Sequence, residues 1–177
     1  MKNYLIILII LIIFILFCSG VLFSCAEPES VIDISIQDLD NIIKENFDFS
    51  EHDDYGYDEF SSDKIKSLFG ITPDDAVQII ARKKIDFINA FNEEILILAE
   101  AENNEKAEEI GNKLKIYKAQ KLKILTDYTI QGNEAQYYLV EASEITVSHR
   151  YVFWVVDTRR TEINAVINQY IKDSGKK

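Results

Sequence analysis

Tyr151-Val152-Phe153-Trp154-Val155-Val156 is the segment that most limits what this chain can become. Successive side chains of a strand point to opposite faces, so six apolar residues in a row make both faces apolar and place the strand centrally in its sheet. Val77 to Ile85 and Glu94 to Ala101 are two further strands, the second containing Ile95-Leu96-Ile97-Leu98. Ile145 and Val147 alternate with polar residues in another, and Ser148-His149 is the expected hairpin turn. A helix from about Asn103 to Asp127 carries Ala107, Ile110, Leu114, Tyr117, Ile124 and Tyr128 on one face. Its acids come early and its lysines late, as the helix dipole favours. Glu134 to Ala142 is a short helix, and a last helix from Thr158 to about Ile171 presents Ile163, Val166, Ile167 and Tyr170. Strand-strand-helix therefore occurs twice. That order predicts an α+β domain with a four-stranded antiparallel sheet, helices on one face, and further helices preceding it. About 100 residues suffice for one such core.

The preceding helices are visible in the spacing. Ile36, Leu39, Ile42, Ile43 and Phe47 recur at helical intervals, with Ser35 as N-cap and Asp38 three residues on. A short helix from Ser62 to Phe69 stops at Gly70, a residue suited to a left-handed cap. If helices cover one side of the sheet, the other side needs an explanation. Trp154 shares its face with Val152 and Val156, and Tyr151 shares its own with Phe153 and Val155. Either Ile36, Leu39, Ile43 and Phe47 cover the second face, or Tyr151, Phe153 and Trp154 belong to an apolar recognition surface.

The N-terminus carries an address. Every residue from Tyr4 to Phe17 is apolar, Lys2 is the only charge ahead of them, and the apolar run ends at Leu22-Phe23-Ser24-Cys25. A basic start, an apolar core and a small residue before the cut describe a secretory signal. The cysteine at the cut makes it a lipobox, so residues 1–24 are expected to be removed and Cys25 lipidated, anchoring the protein to the outer face of the cell membrane. Ser19-Gly20 interrupts the run, and Ala26-Glu27-Pro28-Glu29 comes next as an abrupt polar switch. The alternative is an uncleaved signal anchor, since a run of roughly 20 residues can span a bilayer.

Charge divides the chain beyond Cys25 into two parts. Residues 27–63 hold 13 acids and one base, Lys44, whereas residues 64–177 hold 17 of each. Residues 25–63 thus read as an acidic tether with one amphipathic helix, and residues 64–173 as the α+β domain. With Cys18 in the removed segment and Cys25 lipidated, no thiol remains for a disulfide, so stability is left to the core. No basic patch marks nucleic acid as a partner.

Four segments resemble a family of uncharacterised lipoproteins of Clostridia-like bacteria. Leu68-Phe69-Gly70-Ile71 is similar to its "L-Y-G-I-D" stretch, and Glu94-Ile95-Leu96-Ile97-Leu98 to its "D/E-E-I-A-V-F" strand. Lys121 to Tyr128 resembles its helix end, "Q-x-x-x-F-x-x-Y", and Arg150 to Val156 its "G-x-Y-V-x-x-I-I-S" strand. The resemblance covers about residues 35–172. It implies the location and the fold, and it supplies no catalytic residue. His149-Arg150 stands where the family has a glycine-containing turn.

Candidate sites are few. Asp48, Glu51, Asp53, Asp54, Asp58 and Glu59 crowd one segment, but an EF-hand starting at Asp48 would place Ser50, His52 and Asp53 at its third, fifth and sixth positions, where acids and then glycine are needed. A looser calcium or small-ligand site using Asp53, Asp54, Asp58 and Glu59 within residues 48–59 is the alternative functional reading. Zinc has only His52 and His149, far apart. No nucleophile elbow or phosphate-cradling loop occurs. The expectation is a lipid-anchored, extracytoplasmic protein-interaction or structural module of the cell envelope, with an envelope protein as partner, no cofactor, and no enzymatic activity.

Overall fold

A computed structural model describes residues 32–47, 58–85, 93–127 and 134–175. The chain is α+β. In chain order the described elements are α1 (Ile36–Phe47), β1 (Asp58–Glu59), α2 (Ser62–Phe69), β2 (Gln78–Ile85), β3 (Glu93–Glu100), α3 (Asn104–Asp127), α4 (Glu134–Glu141), β4 (Ile145–Ser148), β5 (Tyr151–Val156) and α5 (Arg160–Ser174). The strands form one antiparallel sheet in the order β1-β2-β3-β5-β4. Leu98 lies opposite Phe153 and Ile97 opposite Trp154, so the two most apolar strands are neighbours.

The sheet has five strands, not the four expected. The additional one, β1, is two acidic residues long and has no apolar alternation to reveal it. Asp58 lies opposite Lys83, Glu59 lies opposite Arg82, and Phe60 N–H then donates to the Ala81 carbonyl at 2.8 Å. Opposite charges across an antiparallel pair favour such a register.

Helices cover both faces of the sheet, a second correction. On one face α1 and α5 pack Ile36, Leu39, Ile43, Ile163 and Ile167 against Ile80, Leu96, Leu98, Tyr151, Phe153 and Val155. On the other, α2, α3 and α4 pack Ile65, Phe69, Ile110, Leu114, Leu125 and Val140 against Ala81, Ile95, Ile97, Val152, Trp154 and Val156. The physical reason is the pair β3 and β5, where each face is apolar and each must leave water. The compact unit accordingly begins at Ile32. Residues 32–47 lie within it, and α1, the amphipathic helix expected to dock on the domain, packs on the sheet.

Local signals explain the helix ends. Ser35 Oγ accepts from Asp38 N–H at 3.1 Å, and Ser61 Oγ accepts from Lys64 N–H at 3.3 Å, each satisfying a donor that the first turn leaves open. Gly70, at φ 66°, ends α2 in the left-handed conformation that its missing Cβ permits. Within α3 the inward positions are Ile110, Leu114 and Leu125, all fully buried, while Ile124 is 45 % exposed. The inward stripe thus drifts one residue from the expected face, in step with the 3.6-residue turn.

A buried ion pair fastens α1. Asp40 is 0 % exposed and receives Arg82 Nε at 3.1 Å and Nη2 at 3.0 Å, with Lys44 Nζ at 2.7 Å. Glu59 of β1 meets the same guanidinium at 3.1 Å. At the opposite end of the sheet, Ser148 pairs with Tyr151 across a two-residue turn of His149 and Arg150. His149 takes φ 54°, so the turn falls one residue later than the expected Ser148-His149.

Two outcomes are expected. Asp40→Ala should cost about 3 kcal/mol, because it leaves the Arg82 charge buried without its main partner, as read by urea unfolding. His149→Gly should raise stability by about 0.5–1 kcal/mol through release of left-handed strain. A melting temperature unchanged or lowered by that substitution would contradict the strain.

Candidate functional site

The most concentrated polar constellation inside the described unit lies at the start of β3, on the face covered by α3. Glu93, an acidic residue, is only 8 % exposed. Lys83 Nζ from β2 donates to its Oε1, and Lys121 Nζ from α3 donates to its Oε2 at 2.6 Å. Gln136 Nε2 from α4 donates to the Glu93 carbonyl at 2.7 Å. Four elements therefore meet at one residue.

Local structure accounts for the meeting. Lys83 lies two residues along β2 from the buried Ala81, and so on the same face of the sheet. Lys121 lies four residues before the buried Leu125 and four after Tyr117, so the drifting stripe of α3 turns it inward. Tyr117 joins the cluster to the core through edge-on ring contacts, 4.7 Å to Phe69 and 6.0 Å to Trp154 between centroids. Burial, and then the Glu93 charge, push its phenol up to about 12. It stays a neutral hydroxyl at any physiological pH.

Two other polar groups are structural in geometry. Lys118 Nζ donates to the Glu141 carbonyl at 2.9 Å and to the Ser143 carbonyl, closing the C-terminal end of α4, and burial lowers its pKa. Asp75 Oδ2 accepts from Thr72 N–H at 2.7 Å and Thr72 Oγ1 at 2.8 Å, and pairs with Lys113 Nζ at 2.7 Å. A shallow cleft of about 380 Å³ lies between the start of α1 and the end of α5, lined by Asp33, Ile34, Ser35, Asp38, Tyr170, Asp173 and Ser174. Burial and then the Asp38 charge raise the Tyr170 phenol there.

The sites expected from sequence fall elsewhere. Tyr151 and Trp154 are 0 % exposed and Phe153 is 2 % exposed, so none of the three forms a recognition surface on this unit. The cause is α1 and α5 over Tyr151 and Phe153, and α3 and α4 over Trp154. Their polar atoms are satisfied internally. The Tyr151 hydroxyl accepts from Ile34 N–H at 2.9 Å and Arg150 Nε at 3.1 Å, and Trp154 Nε1 donates to Ser143 Oγ at 2.9 Å. Cys25, Asp53 and Asp54 lie outside the described residues. Asp58 and Glu59 are neighbours on a strand, which sends their side chains to opposite faces, and Glu59 is engaged by Arg82. Among the described residues no group of three or more His, Cys, Asp or Glu is placed to hold a metal ion.

Sequence reasoning placed Tyr117 on the apolar face of its helix but did not single out Glu93, Lys83 or Lys121. The signal was a charged residue at an inward position of a strand or helix, and it needs the register to be read.

The architecture defines a small α+β domain, an antiparallel sheet between two helical layers with a buried lysine–glutamate cluster at one end. The profile described as "Domain of unknown function (DUF4358)" matches residues 40–157, well over half the chain, and the chain belongs to that family. The match runs from within α1 to the residue after β5. No curated protein matches the chain, and no solved structure does.

Asp75 sets an acid limit. Burial acts to raise its carboxyl, but the Lys113 and Thr72 donors outweigh burial and hold it down at about 2, from an ordinary 3.8. A lowered folded pKa stabilises fully above the unfolded value, and that stability is lost as pH falls through the folded one. Asp75→Asn should therefore cost about 1 kcal/mol at neutral pH, allowing for solvent screening. Its unfolding midpoint in urea should also fall less steeply than the parent's between about pH 4 and 2. Parallel acid curves for the two proteins would contradict this role.

Proposed function

We propose that this chain is a lipid-anchored extracytoplasmic protein of the bacterial cell envelope, and that its domain binds a partner rather than transforming a substrate. The observation that carries the reading is Leu22-Phe23-Ser24-Cys25 at the end of an apolar run, with Ala26-Glu27-Pro28-Glu29 immediately after it. A diacylglycerol on Cys25 supplies two acyl chains, enough for stable anchoring where one would be reversible.

The domain boundary adds to the reading. The compact unit begins at Ile32, so only residues 26–31 intervene after Cys25. Even fully extended, that stretch reaches no more than about 25 Å. A lipidated Cys25 would hold the domain close to the headgroups. A binding role draws support from the outer helical layer, where Ile116 and Ile124 on α3 and Tyr138 on α4 are exposed by 59 %, 45 % and 62 %. Among the described residues no helix is long and apolar enough to cross a membrane.

Mass spectrometry of the full-length protein purified from membranes tests the anchor, with Cys25→Ala alongside. The expected result is a mature N-terminus at Cys25 carrying a diacylglyceryl mass that the variant lacks. An intact Met1 on membrane-extracted protein would overturn the lipoprotein reading in favour of a retained signal anchor.

A further inference from the structure

We draw no further inference here: the strongest candidate, the shallow cleft between the start of α1 and the end of α5 where Asp33, Asp38 and Asp173 gather beside Tyr170, carries nothing, because exposed carboxylates alone define no site, Asp33 is already paired with Arg150, and the only buried residue lining the cleft, Ile34, is apolar.

Discussion

Two adjacent strands with no polar face, β3 and β5, govern the rest of the structure. From Ile95 to Ala99 and from Tyr151 to Val156 every side chain is buried, so water is excluded from both sides of the sheet centre. Burying one large apolar side chain contributes about 1.5–3 kcal/mol, and this central patch supplies a dozen or so on two faces. A single helical layer could not complete such a core. The segment ahead of the acidic stretch must therefore return to the sheet, and α1 does so beside α5. The Ile34 N–H that meets the Tyr151 hydroxyl ties the first residues of the unit to the strand that makes them necessary.

Charge plays a different part on each face. Beneath α1, Asp40 and Arg82 are almost fully withdrawn from water, with bidentate geometry and further partners in Lys44 and Glu59. Such a pair adds little net stability over apolar residues of similar volume, but it penalises any misplacement of the helix, because a broken pair leaves a buried charge. It acts as a register pin. On the opposite face, Glu93 gathers Lys83, Lys121 and Gln136 at the end of the sheet, with Asp58 across from Lys83. The first network has what a structural fastening needs.

Much of the fold was legible in the residues. Ser35 as an N-cap, Gly70 as a left-handed cap, the strand of Tyr151–Val156 and the long helix ending at Asp127 all arise from local chemistry, which acts within a few residues of chain. The features that were not legible are long-range. Asp58-Glu59 becomes a strand only because Lys83 and Arg82 lie opposite. Ile124 faces water and Lys121 faces inward because the stripe of α3 tracks its partners in the sheet. The candidate site was hidden for the same reason, since Lys83, Glu93, Lys121 and Tyr117 belong to three elements and no spacing in sequence links them.

The sequence by itself determined the class of fold, most element boundaries and the signature at Cys25, because capping, alternation and helical periodicity are properties of neighbouring residues. Only the tertiary structure decided that both faces of the sheet are covered, that residues 32–47 belong to the domain, and that Tyr151, Phe153 and Trp154 are core. An apolar strand requires cover without specifying which helix provides it. That choice rests on contacts between residues more than 100 positions apart, as where the Ile34 N–H donates to the Tyr151 hydroxyl.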